Sequence, residues 1–162
     1  MQEIRNSDQS QWSEKSQWSV SVFKLKYTIE LLVNIKVMDF KELIVYKKAF
    51  TLAMEVYEVS KSFPKEEKYS LTDQIRRSSR SVCANLAEAY RKRLYERHFI
   101  SKLTDSDAEN SETIVWLDFS LACDYLSKEK HEKLTQESIE IGKLLNYMML
   151  HPGKFGCKSD NE

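Results

Sequence analysis

The stretch YERHFISKLTDSDAENSETIVWLDFSLACDYL, residues 95–126, decides the fold. Phe99, Leu103, Ser106, Asn110, Ile114, Leu117, Leu121 and Tyr125 recur at intervals of three and four, a period that lines one face of an α-helix. Neither glycine nor proline interrupts the run, so the spacing predicts one long helix over residues 95–126. Two central positions of the seam, Ser106 and Asn110, are polar. In a buried setting such groups require partners.

The same periodicity extends to both sides. Leu43, Tyr46, Phe50, Ala53, Tyr57 and Ser60 predict a first helix over residues 40–62, ended by Phe63-Pro64 because a residue before proline is pushed out of the helical region. A second helix opens at Ser70, where Ser-Leu-Thr-Asp resembles a capping box with Asp73 in the acidic position. Leu71, Ile75, Val82, Leu86 and Ala89 form its apolar stripe. The join to the long helix is the basic cluster Arg91-Lys92-Arg93, which carries no helix breaker, so the two helices are expected to be nearly continuous. Ser127 caps a fourth helix over residues 128–150, with Leu134, Ser138, Ile141, Leu145 and Met148 facing inward and Pro152-Gly153 stopping it. Four helices with short connections predict an all-α, antiparallel up-down-up-down four-helix bundle.

Composition agrees. The chain has 162 residues, enough for one domain with one core, and only 3 Gly and 2 Pro, too few for the turns of a sandwich or barrel. Lys+Arg and Asp+Glu are both 25, so a neutral total argues against a polybasic coat. Cys83, Cys123 and Cys157 are odd in number, widely spaced and without CxxC, which points away from a disulfide framework or a zinc site and toward a reducing cytoplasm. No apolar window has the length of a spanning helix and no secretory signal is visible, so no membrane association is expected.

Residues 1–37 read differently. The first nineteen are polar and repeat Gln-Trp-Ser at 11–13 and 17–19, and a β-prone run follows to Val37. Two readings are open: a start at Met38 with translated upstream sequence before it, or a disordered tail that orders only on a partner. The bundle is assigned to residues 38–156 and an irregular tail to 157–162.

On a wheel of about 100° per residue, Arg76, Arg77, Arg80 and Arg91 share roughly a quarter turn opposite the second helix's apolar stripe. Three readings fit: a solvated charged face, a subunit contact through Arg–carboxylate pairs, or a contact with a phosphate backbone. Residues 69–98 hold seven basic residues (76, 77, 80, 91, 92, 93, 97) against three acidic (73, 88, 96), a balance of +4. Residues 99–150 hold five basic against ten acidic, a balance of −5. Identical chains with such opposed surfaces are expected to oligomerise. Asn85, beside Ser78 and Ser81 at the margin of the stripe, is read as a structural residue able to bond to a neighbouring helix.

Motifs for chemistry are lacking. Asp105, Glu109 and Glu112 share a face, but a bundle metal site normally adds a Glu-x-x-His pair, and none occurs. His98, His131 and His151 are scattered, and no Walker loop, GxGxxG or GxSxG is present. No catalytic residue, metal or cofactor is therefore assigned.

One resemblance goes further. Asp39-Phe40 with Ala49, Phe63-Pro64, Leu71-Thr72-x-Gln74-Ile75-Arg76-Arg77-Ser78, Ser81-Val82-x-x-Asn85-Leu86-Ala87-Glu88, Phe99-Ile100-x-x-Leu103, Ser111-Glu112, Trp116-Leu117 and Gly142-Lys143-Leu144-Leu145 span residues 38–156. Together they resemble the four-helix bundle family of proteins encoded in intervening sequences of bacterial 23S ribosomal RNA genes. The family commonly has Gly where this chain has Ala89. The resemblance implies ring-shaped homopentamers. It also implies kinship with accessory proteins of diversity-generating retroelements, which bind a reverse transcriptase and nucleic acid through a basic surface. Carried over, that surface comprises Arg76, Arg77 and Arg80, with Arg91, Lys92 and Arg93 at its margin. The expectation is a non-enzymatic, cytoplasmic homo-oligomer that binds RNA or a nucleoprotein through these residues. The alternative is a protein-interaction scaffold whose arginines hold the oligomer together without nucleic acid.

Overall fold

A computed structural model describes residues 39–157, which belong to one compact unit beginning at Asp39. The leader, and all of the C-terminal tail but Cys157, lie outside the described residues. Among the described residues there are four α-helices, α1 (Ile44–Val59), α2 (Leu71–Lys92), α3 (Glu96–Ala122) and α4 (Lys128–Leu150), with short 3-10 turns and no strand. None of the helices is long and apolar enough to cross a membrane.

Cross-helix contacts give the topology. Along the α2–α3 pair, Lys102 meets Glu88, Ser106 meets Val82 and Thr113 meets Ser78, so one helix descends as the other climbs. The same antiparallel order holds for α3 and α4, through Asn110 with Ser138 and Asp118 with His131. It holds again for α1 and α4, through Lys48 with Glu140 and Glu55 with Lys133. Each helix packs on its sequence neighbour and α1 closes on α4, the up-down-up-down arrangement. Arg93–Tyr95 form a tight reversal between α2 and α3, so these two are separate antiparallel helices and not the nearly continuous pair expected. Helix α2 itself runs unbroken through Ala89, which is fully buried.

The core is mainly aliphatic, with Phe63, Tyr90 and Phe99 as its buried rings. Phe99 is fully buried among side chains that include Ile75, Leu86, Leu103, Leu117, Leu134, Ile141 and Leu145. Burying each such side chain contributes about 1.5–3 kcal/mol. The inner faces of α2 and α4 are those the periodicity predicts. Two faces differ. In α1 the buried stripe is Val45, Ala49, Leu52, Ala53 and Val56; Phe50 is exposed, and Tyr46 and Tyr57 lie half-buried at the rim. In α3 the seam runs Phe99, Leu103, Ser106, Asn110, Thr113, Leu117 and Ser120, an unbroken heptad that leaves Ile114 and Leu121 at its edge. Small hydroxyl residues take the core positions because α2 approaches closely there.

Those hydroxyls are satisfied mostly within the helix pair. Ser106 donates to the Val82 carbonyl at 3.0 Å, and Ser79 to that of Ile75 at 2.7 Å. Ser120 donates to the Trp116 carbonyl at 2.7 Å. Thr113 lies 3.0 Å from the Ser78 hydroxyl and 2.9 Å from the Glu109 carbonyl, so its one proton goes either to that carbonyl, with Ser78 donating to Thr113, or to Ser78. Asn85, by contrast, is half-buried and makes no side-chain hydrogen bond among the described residues.

Helix ends carry local chemistry that residue type alone did not reveal. Ser127 caps α4 as expected, accepting from the Lys130 N–H at 3.3 Å. At α2 the capping box is absent. The Glu67 carboxylate, from the preceding 3-10 turn, accepts the Leu71 N–H at 3.3 Å and the Ser70 hydroxyl. A carboxylate there also faces the positive end of the helix dipole. Helix α3 stops at Ala122 instead of residue 126 because Asp124 adopts the left-handed region at φ 59°. Tyr125 N–H then donates to the Ser120 carbonyl at 2.9 Å and Asp124 N–H to that of Leu121 at 3.0 Å, a Schellman closure usually made by glycine.

Two outcomes follow from this packing. Asp124→Gly removes the left-handed penalty and an acidic charge at a helix C-terminus, and should stabilise the chain by about 1 kcal/mol in denaturant unfolding. A neutral or lower midpoint would contradict the strain. Burial pushes the Cys83 thiol from 9.0 up to about 11. In the native chain the exposed Cys123 should therefore react with a thiol reagent well before Cys83. Stability should fall as pH rises from 9 toward 11, because the folded thiol keeps a proton that the unfolded one has lost. Equal labelling of the two cysteines in native protein would show that Cys83 is accessible.

Candidate functional site

The outer face of α2 meets the end of α1 at one ring. Tyr57 sits in the last turn of α1, and three cations lie over it: Lys61 Nζ at 4.7 Å from the ring centroid, the Arg76 guanidinium at 5.0 Å and that of Arg80 at 5.6 Å. These distances are those of cation–π contacts. Ser60, buried in the following 3-10 turn, donates to the Tyr57 carbonyl at 3.0 Å and accepts from Arg76 Nε at 2.7 Å. Arg76 is consequently half-buried and fixed at two points, while Arg80 and Arg77 are exposed.

Arg76, Arg77 and Arg80 line one shallow depression with Asp73, Ser81 and Ala84. Arg77 points its charge toward α3, where it draws down the Glu109 carboxyl against the larger upward effects of burial and of Glu112. Among the described residues, none of the three arginines forms a salt bridge with a carboxylate. Lys61 differs, since both oxygens of Glu58 accept from its ammonium at 2.8 Å.

The other three basic residues expected at the surface are placed apart. Arg91 is exposed, three helical turns beyond Arg80, about 16 Å along the axis. Lys92 is paired with Glu88 at 2.6 Å, and Glu88 also takes Lys102 at 3.1 Å. Arg93 folds back over Tyr90 at 4.2 Å and donates to its carbonyl at 2.6 Å, so it serves the end of α2 and not the outer face. Cations there complement the negative end of the helix dipole. The basic surface thus divides into an Arg76–Arg77–Arg80 cluster and a separate turn.

The acidic residues of α3 are spread over several partners. Asp105 pairs with Lys102 at 3.1 Å, and Glu112 accepts from Trp116 Nε1 at 3.0 Å. His131 meets Asp118 at 2.6 Å, and His151 meets the Tyr147 carbonyl at 2.9 Å. Among the described residues no group of three or more His, Cys, Asp or Glu is placed to hold a metal ion. Tyr57, Ser60 and Lys61 were missed as site residues. Tyr57 and Ser60 fit the three-and-four spacing of α1 and read as core; a tyrosine following Val56 at the closing turn, near a serine, was the only available sign.

A family model described as 23S rRNA-intervening sequence protein matches residues 41–147. A crystal structure of a protein of unknown function from the S23 ribosomal protein family of Bacteroides thetaiotaomicron is similar at 31% identity and a TM-score of 0.60, covering 65% of this chain and 98% of that one. No curated protein matches. The matched span contains all of α1, α2 and α3 and most of α4, so the chain belongs to the family of 23S rRNA-intervening sequence proteins.

Proposed function

We propose that this family member is a non-enzymatic, homo-oligomeric bundle of the cytoplasm that binds RNA, or a nucleoprotein such as a reverse-transcriptase complex, through α2. The observation that carries the reading is the cluster of Arg76, Arg77 and Arg80 on an outer face, none of them in a salt bridge with a carboxylate among the described residues. Several lysines of the bundle, Lys48, Lys92, Lys102 and Lys133, are by contrast met by carboxylates. Guanidinium groups match phosphate oxygens in planar, two-point contacts. Binding of this kind neutralises phosphates and reads little base sequence. On an oligomer, several such clusters act together on one polyanion, which compensates for the neutral charge of a single chain.

The charge asymmetry between α2 and the α3–α4 region favours one competing reading, in which these arginines meet acidic residues of a second copy. The two diverge in one experiment. RNA binding by the full chain should weaken steeply with salt, and Arg76→Ala with Arg80→Ala should weaken it and lower the salt slope by about one per phosphate contact removed. The mass in solution should stay oligomeric in that variant. Loss of the oligomer on substitution, with no RNA uptake by the parent protein at low salt, would assign the arginines to the subunit interface.

A further inference from the structure

Arg76 and Arg80 stand one helical turn apart on the same face of α2, a spacing at which like charges repel. Lys61 adds a third cation at the same ring. The charge of Lys61 is met by Glu58, whereas both guanidinium groups lie over the face of Tyr57 with no salt bridge to a carboxylate among the described residues. Arg76 is further held by its Nε–H on Ser60. These restraints use the ring face and one N–H. The terminal amino groups of Arg76, and every N–H of Arg80, donate to no side chain or carbonyl among the described residues. Most exposed arginines lose rotamer freedom when they bind; this pair has part of that ordering built in.

We propose that Tyr57 is the positioning residue of a phosphate clamp in which Arg76 and Arg80 take neighbouring oxygens of one RNA phosphodiester, with Ser60 fixing Arg76. The depression they line is shallow and open, which suits a backbone passing across the helix better than a small anion enclosed on several sides. Asp73 lies in the same depression, three residues before Arg76, and sets the edge that an anion avoids. The inference rests on the RNA-binding reading and adds a residue from α1 that makes no demand on base identity.

The test is a double-mutant cycle on the full chain, with fluorescence anisotropy of a short single-stranded RNA at low salt. Tyr57→Leu should weaken binding about fivefold and Tyr57→Phe, which keeps the ring, by less than about twofold. Ser60→Ala should weaken it about two- to threefold, and gives a second route if Tyr57→Leu folds poorly. In a background already carrying Arg76→Ala and Arg80→Ala, Tyr57→Leu should have no further effect. Two outcomes overturn the clamp: full binding by both Tyr57→Leu and Ser60→Ala while the arginine variant is weak, or an undiminished Tyr57→Leu loss without the arginines, which would make Tyr57 a direct contact. If the arginine variant itself binds RNA as the parent does, the RNA-binding reading fails first.

Discussion

The close approach of α2 to α3 sets everything else in this bundle. Ser78 on one helix meets Thr113 on the other, and these small side chains let the backbones come near enough for Ser106 to reach the Val82 carbonyl. A bulky aliphatic at any of these sites would separate the helices. Ser106 makes the contact directional, because its hydroxyl is satisfied across the pair at the Val82 carbonyl, whereas Ser78, Ser79 and Thr113 also reach carbonyls of their own helices. Because α2 is fixed about its axis, the Arg76–Arg80 face is fixed outward.

Around that pair the remaining contacts are more permissive. Helix α1 is tied to α4 by Lys48 with Glu140 and by Lys130 and Lys133 on Glu55, all at least partly open to solvent. Such pairs contribute little singly, and the hydrogen bond from Lys133, followed by that from Lys130, holds the Glu55 carboxyl below its usual range. They steer α1 more than they bind it. The consequence for the site is that Tyr57, at the far end of α1, comes to rest against α2. A ring that filled no core position becomes the floor under two arginines.

The parts of the fold that follow from side-chain size and spacing were legible. The stripes of α2 and α4, the stop at Phe63-Pro64 and the Ser127 cap agree with the structure. Where expectation and structure part, hydrophobicity is a poor mark of the interior. In α3 it drew the seam to Ile114 and Leu121, whereas Thr113 and Ser120 are buried. In α1 it placed Tyr46, Phe50 and Tyr57 inward, whereas Val45, Leu52 and Val56 fill the core. Local conformation was equally hidden where an unusual residue did a familiar task, Asp124 in the left-handed closure of α3 and Glu67 at the start of α2.

By itself the sequence determined four helices, their order, the residues of two inner faces and the family, because period and breakers act over a few residues at a time. It also placed Arg76, Arg77 and Arg80 on a common face, since a helix imposes that by its pitch alone. Only the tertiary structure decided which basic residues stay together. It brought Tyr57 and Ser60 from beyond α2 to the Arg76–Arg80 pair and Lys102 of α3 onto Glu88, beside the local pairs of Lys92 with Glu88 and Arg93 with Tyr90 that spacing alone permits. Partners distant along the chain are chosen by how helices pack, and periodicity within one helix carries no information about its neighbour's rotation.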